Sequence, residues 1–219
     1  MSEDLNSVVD KYKQQFTLHG RSGTSLFTPK DRNKVRFSAI EKNISYGLNN
    51  WTLLDYGCGF GNLNSYLKSC RTDAFTYHGV DIVEEFINSN KNIEPEIDYK
   101  LICSYEDIKE NYDYISIVGV FNMMYCNSIQ VHKKIVQDTV KYLFSKCNKW
   151  ISINFMTDDV GYVQGDAYHQ NPVEFYNYAY NNLSKRIILD QSYLPYEFTI
   201  TIYKDENRSE SDAARYLNE

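Results

Sequence analysis

The chain has 219 residues, a net charge of −6 and a pI near 5.3. This length fits one domain that buries its core without disulfide or metal support. The acidic balance disfavours nucleic acid as a partner, although basic clusters occur between Lys30 and Arg36 and at Lys133-Lys134. Five cysteines without metal-binding spacing predict reduced thiols. Because the sequence has no membrane-spanning stretch and no signal-peptide pattern, we expect a cytoplasmic protein.

The first 50 residues predict a helical region ahead of an α/β core. A weak helical pattern covers residues 2–16, and a glycine-containing loop follows it. Asp31 is then a candidate N-cap for a helix that runs to about Ile44. We expect the core over residues 51–204, within a single domain 1–204, and a polar, frayed tail over residues 205–219.

The most informative stretch is a glycine-rich turn after the first predicted strand. Apolar residues 51–54 predict a buried parallel strand, and glycines at alternate positions separate it from a helix that ends near Cys70. A strand, a tight turn and a helix N-terminus together bring backbone N–H groups close to a nucleotide-like ligand. Glycine suits this turn because a Cβ would block the turn or the ligand. The turn contains Asp55, Gly57, Cys58, Gly59 and Gly61.

A second strand, residues 75–82, carries Asp81 near its carboxyl end, ahead of a helix from Glu84. A carboxylate there can accept hydrogen bonds from both hydroxyls of a ribose. The dinucleotide fingerprint G-x-G-x-x-G does not fit, because Asn62 stands where that spacing requires glycine.

The pattern Asp55-x-Gly57-x-Gly59-x-Gly61 resembles the first motif of class I S-adenosylmethionine-dependent methyltransferases, and Val80-Asp81-Ile82 resembles their second. The resemblance extends over about residues 31–204. It implies a doubly wound, seven-stranded Rossmann-like α/β sheet, mostly parallel with a C-terminal antiparallel hairpin, and S-adenosylmethionine as cofactor. It also implies a helical lid, from which Arg36 pairs with the methionine carboxylate of the cofactor. The alternative is a solvated arginine on a surface helix.

Residues 97–102 predict a third strand, and the family usually contacts the adenine ring at its end. Ser104 or Glu106 is expected to bind the adenine amino group, and Tyr105 or the adjacent backbone to flank the ring. The same stretch is compatible with a strand end followed by a helix cap.

Continuous apolar character over residues 112–121 predicts a central fourth strand. Val120 then lies beside the expected cofactor crevice. Amine methyltransferases of DNA and protein often have an Asp/Asn-Pro-Pro-aromatic motif at this point, whereas this chain has no proline there, so base N-methylation is disfavoured. A helix over 129–144 and a fifth strand over 150–155 follow. The last elements are a helix opened by Pro172 and two strands over 186–193 and 196–203.

The loop over residues 156–171 is rich in polar and ring-bearing side chains. His169 is the best candidate for a catalytic base, with a surface or packing histidine as the alternative. His19 has a weaker case, and strand alternation points Glu197 toward solvent. Asp158 and Asp159 resemble part of a divalent-ion site, but no further ligands are evident, so we expect chemistry without a metal.

The sequence therefore predicts an enzyme that transfers a methyl group from S-adenosylmethionine to an O or N atom of a small-molecule or sugar-containing acceptor. One alternative is an RNA or protein methyltransferase with local basic contacts. Another is a non-catalytic module that binds a cofactor or a partner, although the intact glycine turn and Asp81 argue against it.

Overall fold

The computed structural model describes residues 3–29, 31–45, 47, 49–162 and 165–204. The predicted tail over residues 205–219 lies outside the described residues. None of the described helices is both long enough and apolar enough to cross a lipid bilayer.

Within the described residues, seven strands form one sheet in the order β3-β2-β1-β4-β5-β7-β6. Strands β1 to β5 run parallel, β7 is antiparallel to β5, and β6 is antiparallel to β7. This arrangement confirms the predicted sheet with its C-terminal antiparallel hairpin. The strands are β1 Trp51–Tyr56, β2 Phe75–Asp81, β3 Asp98–Leu101, β4 Tyr112–Val118, β5 Cys147–Met156, β6 Ile187–Asp190 and β7 Glu197–Tyr203.

Helices cover both faces of this sheet. On one face, α5 and α6 pack on apolar side chains of β1, β4, β5 and β7, and on the other, α2 and α3 pack against β1. The described α-helices are α1 Glu3–His19, α2 Arg32–Glu41, α3 Asn62–Cys70, α4 Glu84–Ile93, α5 Ile129–Ser145 and α6 Pro172–Asn182. Both faces of the central strands are therefore buried, as parallel sheets require.

The ends of β4 and α2 differ from the sequence prediction. Strand β4 ends at Val118 because Gly119 has a left-handed φ of 70° and residues 120–122 form a 3-10 turn. Helix α2 ends at Glu41, before the predicted Ile44. The predicted cap is also wrong, because Asp31 has a φ of 62° and its side chain makes no capping hydrogen bond. An N-cap residue normally has an extended backbone, from which its side chain reaches the first turn.

The glycine turn between β1 and α3 depends on contacts within the protein. Gly57, Gly59 and Gly61 all have positive φ angles. A Cβ at Gly57 would overlap the Val120 side chain, and a Cβ at Gly61 would overlap the Tyr99 hydroxyl. Glycine at these two positions is therefore required by the Val120 and Tyr99 side chains before any ligand is considered.

We expect Gly61→Ala to destabilise the fold more than Gly20→Ala. Both glycines have positive φ angles, but a Cβ at Gly20 would meet no atom within 4 Å. The left-handed backbone alone costs about 1–2 kcal/mol, and the contact with Tyr99 should add about 1–3 kcal/mol of overpacking. Urea denaturation of both variants measures the difference. Equal losses would show that Tyr99 does not restrict this position.

Candidate functional site

A cavity of about 880 Å³ lies at the carboxyl ends of β1, β2, β3 and β4. This edge of an open parallel sheet is where ligands bind, and the volume is typical of a small-molecule site. The cavity is lined by ten of the residues that the sequence assigned to the cofactor: Arg36, Asp55, Gly57, Cys58, Gly59, Asp81, Ile82, Ser104, Tyr105 and Val120.

Two residues assigned to the cofactor do not line this cavity. Gly61 lies behind the turn against Tyr99. Glu106 is exposed, and its backbone N–H donates to the Ser104 hydroxyl at 3.1 Å. Ser104 therefore caps the short turn at residues 105–107 and also lines the cavity. Glu106 does not line the cavity.

Asp81 joins the ends of the first two strands. Its Oδ2 accepts the Gly59 backbone N–H at 2.8 Å, and its Oδ1 accepts the Val83 backbone N–H at 3.0 Å. Burial raises the pKa of this carboxyl to about 6, and the backbone N–H groups of Gly59, Val83 and Ile82 oppose that rise. Because a carboxylate has about four acceptor positions, acceptor capacity remains for hydroxyl donors from the cavity.

Asp55 lies one strand away and is also buried. It accepts the Tyr77 hydroxyl at 2.6 Å. Burial raises the pKa of Asp55 to about 7, the hydrogen bond from Tyr77 lowers it, and the nearby charge of Asp81 adds to the rise. Two carboxyl groups thus meet beneath the glycine turn, and their mutual repulsion favours ligands that donate hydrogen bonds or carry positive charge.

Arg36 is not a solvated surface residue, because only 6% of it is exposed. Its Nε and Nη2 donate to the two oxygens of Glu197 at 2.6 and 2.7 Å. The expectation that Glu197 faces solvent is therefore wrong. Residues 197–202 of β7 are all buried, because α2 covers the face that carries Glu197 while Phe198 joins the core beneath α5 and α6.

Helix α1 and the loop that follows it cover one side of the cavity. Tyr12 and Phe16 of α1 pack edge-on against Phe86, and Phe16 also contacts the ring of Phe60. Arg21 fixes the loop, since it donates to the Phe60 carbonyl oxygen at 2.9 Å. Side chains from this segment line the cavity: Leu5, Val8, Tyr12, Leu26, Phe27, Thr28 and Pro29. The N-terminal region thus encloses the ligand space.

His169, in the segment after β5, also lines the cavity. Its Nδ1 is 2.7 Å from the Thr157 carbonyl oxygen. Because a carbonyl oxygen only accepts, Nδ1 carries the proton, and the neutral ring has its lone pair on Nε2. His19, the weaker candidate, is exposed at the end of α1 and does not line the cavity.

The acidic pair Asp158 and Asp159 is exposed and lies outside the cavity lining. Asp158 accepts a hydrogen bond from the Asn171 side chain at 3.0 Å. In the described part of the chain, no three His, Cys, Asp or Glu side chains are grouped as metal ligands.

His132 is a site-supporting residue that the sequence analysis missed. It is fully buried on α5, where Nδ1 accepts the Tyr125 backbone N–H at 3.1 Å and Nε2 lies 3.2 Å from the Phe121 carbonyl oxygen. These bonds tie α5 to the turn after β4, which forms part of the cavity wall. No sequence signal separated His132 from the polar face of its amphipathic helix.

Comparison with solved structures identifies the fold. The structure of magnesium protoporphyrin IX methyltransferase from Synechocystis PCC 6803 with bound S-adenosylmethionine aligns with a TM-score of 0.63 at 13% identity, over 94% of this chain and 99% of that one. The plantazolicin methyltransferase BamL aligns with a TM-score of 0.61 at 16% identity, over 92% and 100%. A methyltransferase from Leishmania major aligns with a TM-score of 0.66 at 11% identity, over 92% and 83%.

No protein-family model and no curated protein matches the sequence. The chain has the fold of class I S-adenosylmethionine-dependent methyltransferases. At these identities the likeness concerns the fold, and the activity has to be argued from the site.

We expect His132 to stay neutral across physiological pH. Burial lowers the pKa of His132 to about 4, although its hydrogen bond to Phe121 opposes the shift. A histidine pKa below the unfolded value of about 6.5 adds stability above that pH, and this stability is lost as the pH falls toward 4. In an NMR titration the ring resonances of His132 should not move between pH 8 and 5. The acid-induced loss of stability should be smaller in His132→Asn. A ring that titrates near pH 6.5 would contradict this assignment.

Proposed function

We propose that the protein is a methyltransferase that uses S-adenosylmethionine. The observation that carries the proposal is the junction of Asp81 with the glycine turn at the cavity wall. The site offers a buried carboxylate with free acceptor positions, next to a turn whose Gly57 and Gly59 also line the cavity. A ribose with two neighbouring hydroxyls fits this combination.

The residues around the cavity fit the rest of such a cofactor. Ile82 follows β2, Ser104 and Tyr105 follow β3, and all three line the cavity. An adenine ring would pack at these two strand ends, where Ser104 offers a hydroxyl group. Arg36 offers a guanidinium on the side of the β4 end. We infer that the adenosine part lies along the ends of β2 and β3 and the amino-acid part near β4.

Two features favour S-adenosylmethionine over a dinucleotide. The glycines stand at alternate positions, which departs from the dinucleotide fingerprint. In this sheet, β7 lies between β5 and β6 and runs antiparallel to both. The dinucleotide-binding sheet has the strand order 3-2-1-4-5-6 and is mostly parallel.

When bound, the cofactor supplies a methyl group that its sulfonium already activates for in-line transfer. The protein then has to align an acceptor and exclude water. Beyond the cofactor residues the cavity is lined mainly by apolar and ring-bearing side chains: Val8, Phe27, Pro29, Met123, Met156, Val160, Tyr162, His169 and Tyr196.

This enclosed, mainly apolar space supports an acceptor of small-molecule size, methylated on an O or N atom. A sugar-containing acceptor would use the polar groups of the loop after β5. An RNA or protein substrate is the second candidate, and it would have to insert one residue beneath α1. We assign His169 as the base that removes the acceptor proton through Nε2, because Nδ1 is bound to Thr157.

Isothermal titration calorimetry with S-adenosylhomocysteine tests the cofactor proposal. We expect binding to the wild type and no binding of NAD. Asp81→Asn should weaken binding at pH 7.5 by about 1–3 kcal/mol, because the ribose hydroxyls lose a charged acceptor. Asp98→Asn is the control, since Asp98 lies on the outer strand β3 and pairs with His78 of β2.

The affinity for S-adenosylhomocysteine should depend on pH, because Asp81 titrates. With a pKa of about 6 in the free protein, Asp81 is ionised above pH 7 and takes up a proton below pH 6. Hydroxyl donors favour the ionised form, so affinity should fall by up to about tenfold per pH unit below pH 6. Asp81→Asn should remove that dependence. Binding of NAD without binding of S-adenosylhomocysteine would refute the proposed function.

The catalytic role of His169 is tested by turnover. Mass spectrometry of a metabolite extract incubated with labelled S-adenosylmethionine would first identify an acceptor. His169→Ala should then lower kcat by about 10²–10⁴-fold and remove the acidic limb of the pH–rate profile. His19→Ala is the matched control and should retain full activity. A rise in acceptor KM with an unchanged pH profile would instead assign His169 to acceptor orientation.

A further inference from the structure

A group of four polar side chains connects the last strand to the cavity wall. Glu197 of β7, only 1% exposed, accepts hydrogen bonds from Arg36 Nε at 2.6 Å and Arg36 Nη2 at 2.7 Å. It also accepts from Arg32 Nη1 at 3.2 Å and from Asn154 Nδ2 at 3.0 Å. We call these four residues the two-arginine cluster.

The charges in this cluster do not cancel. Two guanidinium groups share one carboxylate, so one positive charge is in excess. Arg32 and Arg36 both line the cavity, whereas Glu197 does not. A buried ion pair contributes little net stability, because desolvation offsets the attraction between the charges. The excess charge therefore points to an anionic group of a ligand.

The geometry indicates which arginine edge would meet that group. The Nε and Nη2 edge of Arg36 is occupied by Glu197, while Nη1 makes one bond among the described residues, to Asn33 Oδ1 at 3.3 Å. This Nη1 lies 3.5 Å from the place that a Cβ on Gly119 would take. Gly119 directly follows β4, the strand beside β1, at the switch point where ligands bind an open sheet.

We propose that Glu197 is a positioning residue that holds Arg36 for the carboxylate of the bound cofactor. A bidentate carboxylate–guanidinium pair fixes the plane of the guanidinium as well as its position. Nη1 thus keeps its direction toward Gly119 before a ligand arrives. Glu197 also neutralises one of the two arginines, so the cluster presents a single positive charge to a single carboxylate. This inference rests on the proposed function.

Two adenosine ligands separate this role from a purely structural one. S-adenosylhomocysteine has the amino-acid tail with its carboxylate, and 5′-methylthioadenosine lacks that tail. Glu197→Gln preserves the shape of the side chain but turns one acceptor into an amide N–H that opposes an Arg36 donor. The variant should therefore weaken binding of S-adenosylhomocysteine about tenfold to hundredfold, the effect of losing a hydrogen bond to a charged group. Binding of 5′-methylthioadenosine should not change.

The control is Glu41→Gln, on the same helix as Arg36. Glu41 pairs with Arg71 at 2.9 Å, and neither residue lines the cavity. The ratio of the affinities of Glu41→Gln for S-adenosylhomocysteine and 5′-methylthioadenosine should equal that of the wild type. Thermal unfolding followed by circular dichroism verifies that each variant is folded at the temperature of the calorimetry.

Three results would overturn the inference and leave the proposed function intact. They are an equal loss of both ligands in Glu197→Gln, an unchanged or higher affinity for S-adenosylhomocysteine in that variant, and equal affinity of the wild type for the two ligands. A wild type that binds neither ligand would instead refute the proposed function itself.

Discussion

The candidate site depends on one hydrogen bond between neighbouring strand ends. The Gly59 backbone N–H donates to Asp81, and this bond holds the turn after β1 against the end of β2. The turn has glycine at alternate positions, and a Cβ at Gly59 would crowd the Leu26 side chain at 3.1 Å. A ligand that replaces water at this point finds its acceptor group already oriented, so little ordering of the loop accompanies binding.

Acidic and basic side chains both line the cavity. Asp55 and Asp81 lie at the ends of β1 and β2, and Arg36 lies beside Gly119, which follows β4. The acidic and the basic groups thus have separate positions along the same sheet edge. A ligand with a positive and a negative group at a matching separation would pair with both the acidic and the basic side chains. A ligand that lacked one of these charges would leave one of the two sets unpaired.

The sequence predicts the fold well because its signals are local. Glycines at alternate positions after an apolar run and Pro172 at a helix start act over a few residues, and both appear where expected. Glu197 was misjudged, since alternation in β7 implies a solvent face only when nothing covers it. The cover comes from α2, about 160 residues earlier in the chain, and single-sequence periodicity contains no such information.

The same limit explains the other misses. His132 was not singled out in the sequence, and Glu106 was assigned from its position after the third strand, yet the contacts of both depend on which backbone groups lie opposite them. Asp31 has a typical capping side chain but a left-handed backbone that directs it elsewhere. Long-range pairing and backbone angles therefore determine the residues that support the site, whereas the glycine turn and Asp81 can be identified from the sequence.

The position of β7 has a consequence for folding. Among the described strands, β6 pairs with β7 alone, although β6 precedes it in the chain. The free edge of β5 thus pairs with β7, the later of the two strands. Strand β6 can therefore join the sheet only together with β7 or after it. Such non-local pairing is slow compared with helix formation. Because Glu197 begins β7, assembly of the arginine pair awaits the docking of this hairpin, and a chain that has formed only β1 to β5 would have the glycine turn without it.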